Sequence, residues 1–287
     1  MSQLKIFIEL TRLNKPTGIM LLFWPCSWGL AYAYVVEKNL YQFLYFLLLF
    51  FLGSVLMRSA GCIVNDIVDK DIDKKVQRTK NRPIASNKIS VKLAIFYIII
   101  LCSLAFLVLI NFNTLTIILA LCSMPLAFTY PLMKRLTYWP QLFLGITFNY
   151  GLILGWVSIK DQIDIIPIIF YLGAIFWTLA YDTIYGFQDI KDDEIIGIKS
   201  TSIKFKNNPK ELIFICFTLL TFSILISGYL MHFNLFFYLG SIFLIYHLFF
   251  YQLRRFDFKD TKNCLKIFKS NNIVGLLVLF NIFLGKF

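Results

Sequence analysis

Charged residues are scarce in this sequence, and acidic residues are fewer than basic ones. Only 15% of the 287 residues are charged, 16 of them are Asp or Glu, and 59% of all residues are hydrophobic. A soluble domain carries close to a quarter charged residues, so the composition excludes a water-soluble enzyme or carrier. It is typical of a protein that crosses a membrane several times.

Histidine and paired cysteine are also nearly missing, which argues against zinc and thiol chemistry. The six cysteines form no CxxC pair and mostly fall in apolar runs, where they are expected to be buried as small hydrophobic residues. His232 falls in a short turn, and His247 falls in an apolar run without an acidic neighbour. We therefore expect neither a disulfide framework nor a catalytic histidine.

Long apolar runs, by contrast, fill the chain. A membrane span needs roughly 20 apolar residues, and the predicted spans lie near 17–36, 40–62, 91–110, 114–132, 140–158, 164–186, 211–230, 234–252 and 271–286. These nine leave no room for a soluble domain, so residues 1–287 are expected to form one integral-membrane domain. The first run is too long for a typical signal-peptide core and lacks a small-residue cleavage site, so we expect it to be a span.

The net charge of +12 is concentrated on one side of the predicted membrane. Lys and Arg cluster at the N-terminus and in loops 63–92, 187–210 and 253–270, whereas the alternate loops carry only Lys38 and Lys160. Basic loops mark the cytoplasmic side, so the N-terminus is expected inside and the C-terminus outside. The positive charge thus reflects membrane topology and does not indicate a nucleic-acid partner.

Two clusters of aspartates stand at the predicted cytoplasmic ends of the second and sixth spans. The candidate metal ligands are Asp66, Asp69 and Asp73 in the first cluster and Asp182, Asp189 and Asp193 in the second. At helical spacing each set lies on one face, where like charges repel unless a cation sits between the clusters. Dense carboxylates suit Mg²⁺, which keeps positions for phosphate oxygens. Solvated helix ends paired with lysines are the less favoured alternative.

Basic residues follow these clusters and are candidates to bind a diphosphate. They are Arg78, Arg82, Lys134, Arg135 and Lys199. Arginine suits bidentate contact with phosphate, and lysine supplies a point charge, although each residue also fits a simple anchor at the membrane face.

Arg58 differs from the other basic residues because it lies within a predicted span. An ionisable side chain there is costly and marks a functional site. Asn65 and Asp66 follow it at i+7 and i+8, so Arg58 is expected to face the same cavity as the aspartates. It is a candidate to bind an anionic acceptor or to neutralise the aspartates.

Four stretches of the chain resemble the UbiA superfamily of intramembrane prenyltransferases. "NDIVDKDIDKKVQRTKNRP" (65–83) resembles the NDxxDxxxD signature, and "YDTIYGFQDIKDDEIIGIKST" (181–201) resembles the second acidic motif in the form typical of the ubiquinone-pathway branch. Stretches 10–30 and 129–151 resemble the opening and central segments of that branch. One departure is that Tyr185 and Gly186 stand where many members have Asn-Asp.

The resemblance implies an all-α fold of nine transmembrane helices around a central cavity with a cytoplasmic polar cap. It implies Mg²⁺-dependent transfer of a polyprenyl group from an allylic polyprenyl diphosphate to the carbon ortho to the hydroxyl of 4-hydroxybenzoate, in ubiquinone biosynthesis. The aspartates are then catalytic metal ligands, and Asn65, Tyr130 and Tyr185 join the basic residues at the substrates. The expected location is a bacterial inner membrane, with several spans in the lipid bilayer and the active site facing the cytoplasm.

Three other functions remain open at this point. The same scaffold with another acceptor, such as a naphthoate or a haem, is the nearest. A CDP-alcohol phosphotransferase would need a DGxxDGxxAR arrangement, which the sequence lacks. A cation carrier would place its acidic residues near the middle of the bilayer, and here they stand at one face.

Overall fold

The computed structural model describes residues 2–286, and every regular element in that range is helical. The α-helices are α1 (Gln3–Thr11), α2 (Thr17–Glu37), α3 (Leu40–Val68), α4 (Lys70–Asp73), α5 (Val91–Leu109), α6 (Thr114–Thr129), α7 (Met133–Leu136), α8 (Pro140–Lys160), α9 (Ile165–Gly186), α10 (Ile190–Ile196), α11 (Thr201–Lys204), α12 (Pro209–Leu230), α13 (Leu235–Ile245) and α14 (Thr261–Leu284). A 3₁₀ turn (Tyr130–Leu132) joins α6 to α7, and a π-helical segment (Tyr246–Leu253) continues α13.

The prediction of an all-α fold with nine spans is confirmed. Within the described residues, nine helical stretches are long and apolar enough to cross a membrane, counting 114–136 and 235–253 as one stretch each. Two differ from the predicted bounds by more than four residues. The second continues to Val68 and carries the first acidic cluster at its end, and the ninth begins at Thr261, where the Asp260 side chain accepts a hydrogen bond from Lys262 N.

The core of the membrane domain is built around α2, which packs most extensively against α8 and also against α3 and α14. Glycines permit the closest of these approaches. A Cβ added at Gly29 would lie 1.9 Å from the Leu152 carbonyl oxygen, and one added at Gly155 would lie 2.3 Å from the Cys26 carbonyl oxygen. With no Cβ at either position, the two backbones touch, as small residues allow in membrane helix packing.

We predict that Gly29→Ala lowers the free energy of unfolding by about 1–3 kcal/mol or more, because the new methyl group overlaps backbone that cannot rotate away. Thermal unfolding of the detergent-solubilised protein measures the change. Gly53→Ala is the matched control, since a Cβ at Gly53 meets nothing within 4 Å. Equal stability of the two variants would mean that the contact between α2 and α8 is looser than described.

The connections 69–90 and 187–208 cover one end of the spans and contain both acidic motifs. We call this end, which also bears loop 253–270, the basic face. Beneath it lies a cavity of about 460 Å³, lined mainly by apolar side chains of α3, α5, α6 and α8. The basic loops therefore form a polar cap over an apolar chamber. The predicted side of Phe287 lies outside the described residues.

Candidate active site

The first acidic cluster lies where α3 ends and α4 begins. Asp69 separates the two helices, with a φ of −96° and a ψ of 6°. Hydrogen bonds continue across the break, since Asp69 N donates to Asn65 O (2.9 Å) and Asp73 N donates to Asp69 O (2.8 Å). Asp66 thus lies on α3 and Asp73 on α4, and all three carboxylates are buried around this break.

Two arginines hold the outer members of this cluster. Arg12 Nη2 lies 2.5 Å from Asp66 Oδ1, and Arg82 Nη1 lies 3.2 Å from the same oxygen and 2.8 Å from Asp73 Oδ2. Asp66 is only 1% exposed, and charges attract more strongly away from bulk water than at a surface. The arginines thus balance the charge of both carboxylates.

Asp69 has one paired and one unpaired oxygen. Lys134 Nζ bonds to Asp69 Oδ2, whereas Asp69 Oδ1 is buried without a hydrogen-bond partner in residues 2–286. Burial raises the pKa of Asp69 above its ordinary value, against the opposing effect of the Lys134 charge. A buried carboxylate oxygen without a donor is costly. A hard cation is a partner that would satisfy it.

The second acidic cluster is divided between two helices. Asp182 lies in α9, which ends at Gly186, whereas Asp189 immediately precedes α10 and Asp193 lies within it. The helical spacing of the three aspartates is therefore interrupted between Asp182 and Asp189. Burial raises the pKa of Asp193 to about 7, and the charge of Asp189 adds to the increase.

Arg78 joins the two motifs. Its Nε lies 2.7 Å from Asp189 Oδ1, its Nη2 bonds to Asp189 Oδ2, and its Nη1 donates to the Tyr185 hydroxyl at 2.8 Å. The guanidinium carbon also lies 5.2 Å from the centre of the Tyr185 ring. Next to it, Gln77 N donates to Asp192 Oδ2 at 3.0 Å. The two motif loops are therefore in direct contact, as their shared face predicts.

The carboxylates do not converge on a common point as arranged here. Within residues 2–286, no group of three or more His, Cys, Asp or Glu side chains is placed to hold a metal ion. Four of the six predicted ligands instead contact arginine or lysine, namely Asp66, Asp69, Asp73 and Asp189. These cations draw the carboxylates toward separate partners.

Arg58 lies at the junction between the polar cap and the apolar cavity. Its guanidinium carbon is 5.3 Å from the centre of the Phe148 ring, and both side chains line the cavity together with Tyr130. Arg58 also interacts electrostatically with Asp182. A Cβ at Gly18 would lie 2.8 Å from Arg58 Nε, so the absence of a side chain there leaves room for the guanidinium.

Two predicted substrate residues point elsewhere. Arg135 Nη2 donates to the Val68 carbonyl at 2.6 Å and so caps the end of α3. Lys199 Nζ donates to the Leu136 carbonyl at 3.3 Å and stands over the Tyr138 ring. Both cations therefore bind backbone carbonyls, and neither forms an ion pair with an aspartate within residues 2–286.

Arg12 is the residue that the sequence interpretation missed. It lies just after α1, in the left-handed backbone region with a φ of 58°, and it reaches across 54 residues to Asp66. The charge pattern identifies it only as one of the basic residues at the N-terminus. The sequence signal for its role is its place in "LTRLNKPTG", inside the stretch that resembles the opening of the branch.

Comparison with known proteins places these features in a family. The model of the UbiA prenyltransferase family matches residues 22–280. The chain is 40% identical over 283 residues to the mitochondrial 4-hydroxybenzoate polyprenyltransferase of Rattus norvegicus, covering 98% of this chain and 75% of that protein. It is also 40% identical over 293 residues to the Homo sapiens protein of the same name, covering 98% and 76%.

Solved structures share the fold. A UbiA homologue from Aeropyrum pernix K1 matches with a TM-score of 0.75 at 19% identity, over 91% of this chain and 96% of that chain. A homologue from Archaeoglobus fulgidus bound to GPP and Mg²⁺ matches with a TM-score of 0.69 at 17% identity, over 98% and 99%. At these identities the likeness concerns the fold alone.

The comparisons also correct the predicted location. The relatives named above are mitochondrial proteins of animals. The expectation of a bacterial inner membrane with a cytoplasmic active site is therefore wrong, since these relatives point to a mitochondrial membrane.

Proposed function

Because the chain belongs to the UbiA prenyltransferase family, we propose that the acidic cap and the apolar cavity together form the active site of a 4-hydroxybenzoate polyprenyltransferase. The enzyme transfers a polyprenyl group from its diphosphate to the carbon ortho to the hydroxyl of 4-hydroxybenzoate, in ubiquinone biosynthesis. The observation that carries this proposal is the position of Arg58, between buried carboxylates and an apolar chamber.

The aspartates fit a bound Mg²⁺. Asp69 Oδ1 is buried and unpaired, and the pKa of Asp193 is raised toward neutrality by burial, which are both costs that a hard cation relieves. Asp66, Asp69 and Asp73 would hold it from one side, and Asp189 and Asp193 from the other. When bound, the ion neutralises the negative charge that develops on the departing diphosphate.

In this proposal the arginines and Lys134 also bind the diphosphate, in addition to pairing with the aspartates. Arg12, Arg78 and Arg82 now neutralise the aspartates, and a cation among the carboxylates would free them to donate to diphosphate oxygens. Arginine is suited to this exchange because its fork matches carboxylate and phosphate equally well. The cap thus carries enough positive charge to hold the diphosphate before and after the bond to the prenyl chain breaks.

The acceptor and the carbocation meet at the inner edge of the cap. Arg58 binds the benzoate carboxylate and directs the ring toward the prenyl carbon released from the diphosphate oxygen. The ring carbon ortho to the hydroxyl forms the new bond, and loss of its proton restores the aromatic ring. Tyr130 lines the cavity and presents a ring that stabilises the cation, whereas the Tyr185 ring lies against Arg78 and Phe268. The cap excludes the water that would capture the cation.

The cavity accommodates the prenyl chain. Its lining runs along α3 from Gly61 to Leu49, a length of about 18 Å at 1.5 Å per residue. Apolar residues dominate the walls, and the ring centres of Phe50 and Phe112 lie 4.8 Å apart, with the rings tilted by 46°, at the far end. A chamber of this kind holds the first isoprene units while the reactive end lies near Arg58.

An assay with purified protein tests the function. Labelled polyprenyl diphosphate and Mg²⁺ are offered with 4-hydroxybenzoate, 1,4-dihydroxy-2-naphthoate or haem as acceptor, and the labelled products are identified by mass spectrometry. We expect product with 4-hydroxybenzoate and none with the other two. Product with the naphthoate or haem alone would support a prenyltransferase of this family but contradict 4-hydroxybenzoate as its acceptor.

A further inference from the structure

A groove separate from the catalytic cavity opens between α12 and the π-helical segment at the basic face. It has a volume of about 630 Å³, and none of the aspartates of the two motifs lines it. We call it the Lys210–Arg254 groove after the two cations at its rim. Its walls are Phe214 and Ile215 of α12 and Phe249 and Leu253 of the π-helical segment.

The π-helical backbone determines which side chains of the segment border this groove. Arg254 N donates to Phe249 O, five residues back, at 3.1 Å, and the wider turn shifts the side chains relative to an α-helix. Gln252 is turned inward and bonds to Asn271 of α14, whereas Phe249 remains at the groove and meets Phe214 edge-on at 5.5 Å. The segment therefore packs on α14 through Gln252 and on α12 through Phe249, and the groove opens beside the contact of Phe249 with Phe214.

The charges at the rim lack partners of their own. Lys210 and Arg254 are exposed, and neither forms an ion pair with any carboxylate in residues 2–286. Glu211 also borders the groove, and its Oε2 accepts a hydrogen bond from Asn208 Nδ2 at 3.3 Å. With one carboxylate against two cations, the rim is complementary to an anion.

The walls below the rim face the hydrocarbon layer. Phe214 is 52% exposed and Ile215 is 54% exposed, and both lie within the span Pro209–Leu230, one turn beyond the level of Lys210. An occupant must therefore offer an anionic group at the membrane surface and an apolar chain beneath it. A soluble anion would bind at the rim without covering the apolar walls. A zwitterionic lipid would bring its own positive charge close to the two cations of the rim, which is unfavourable.

We propose that the Lys210–Arg254 groove binds one anionic phospholipid, with its phosphate between Lys210 and Arg254 and one acyl chain against Phe214 and Phe249. The proposal does not depend on the prenyltransferase reaction. Basic pockets between transmembrane helices are general sites for anionic headgroups, and this groove joins such a pocket to an apolar channel.

Native mass spectrometry and thermal unfolding of the detergent-solubilised protein, titrated with dioleoyl phosphatidylglycerol or dioleoyl phosphatidylcholine, test the proposal. Lys210→Gln and Arg254→Gln should each weaken phosphatidylglycerol binding about fivefold, equivalent to about 1 kcal/mol per basic residue. The double variant should weaken it roughly twentyfold or more if the two effects add. Phosphatidylcholine binding should not change, and prenyl transfer in detergent checks that each variant is folded.

Two control variants distinguish a specific lipid site in the groove from nonspecific attraction to the other basic residues of the basic face. Lys262→Gln and Lys266→Gln remove exposed cations of α14 at the same face, outside the groove, and should leave phosphatidylglycerol binding within about twofold of wild type. An equal loss in these variants would overturn the proposal in favour of diffuse attraction. Equal stabilisation by glycerol phosphate would show an anion site without a lipid, and a dimer that dissociates in the double variant would assign the groove to a second copy of the chain.

Discussion

Asp69→Asn should lower the turnover number at least about a hundredfold, a barrier increase of about 2.7 kcal/mol. The substitution keeps the size of the side chain and removes the charge of a carboxylate whose second oxygen is buried and unpaired. If that oxygen binds the cation that neutralises the leaving diphosphate, the amide is a poor replacement. Initial rates at several Mg²⁺ concentrations measure the loss. Asp66→Ala and Asp189→Ala should lower the turnover number to a similar extent.

Asp71→Asn is the matched control for this experiment. Asp71 lies two residues away in the same motif, but its side chain is 87% exposed and pairs with Lys74 at 3.0 Å on the surface. Such pairs contribute little, so the rate should stay within about twofold of wild type. If Asp69→Asn retains more than about a tenth of the wild-type rate, a loss below about 1.4 kcal/mol, Asp69 is not a ligand. A melting temperature no lower than that of wild type would show that the fold is intact.

Arg58→Lys should raise the KM for 4-hydroxybenzoate about tenfold, equivalent to about 1.4 kcal/mol, and leave the KM for the prenyl diphosphate little changed. Lysine keeps the positive charge and loses the planar fork that holds a carboxylate through two hydrogen bonds. Arg58 forms no ion pair with the carboxylates of residues 2–286. Its guanidinium is therefore available to an anionic acceptor. Steady-state kinetics with each substrate varied in turn measures both constants.

Arg255→Lys serves as the control, because Arg255 lies at the same face over the Tyr251 ring and outside the cavity. It should change neither constant by more than about twofold. The reverse pattern in Arg58→Lys, with weaker use of the diphosphate and an unchanged constant for the benzoate, would assign Arg58 to the leaving group. The carboxylate of 4-hydroxybenzoate would then have to bind another cation. Arg135 is the next candidate, but it would first have to break its hydrogen bond to the Val68 carbonyl.

The sequence by itself determined the all-α fold, the number of spans and the placement of both acidic motifs at the same end of the spans. Those properties follow from local composition, since a run of about twenty apolar residues has few alternatives to a membrane helix. The ends of α3 and α14 were less predictable, because their last or first turns project from the apolar layer and carry polar residues. Hydropathy alone does not detect a helix that continues into water.

Only the tertiary structure decided which cations meet which carboxylates. Arg12 reaches Asp66, Lys134 reaches Asp69 and Arg78 reaches Asp189 across 54 to 111 residues of sequence, whereas Arg135 and Lys199 turn to backbone carbonyls. Each choice depends on distances of a few ångströms between helix ends, which are set by packing such as the contact of Gly29 with Leu152. Residue type and spacing fix the charges available at the basic face, but Coulomb attraction falls with distance, so the pairing follows from the packing of the spans.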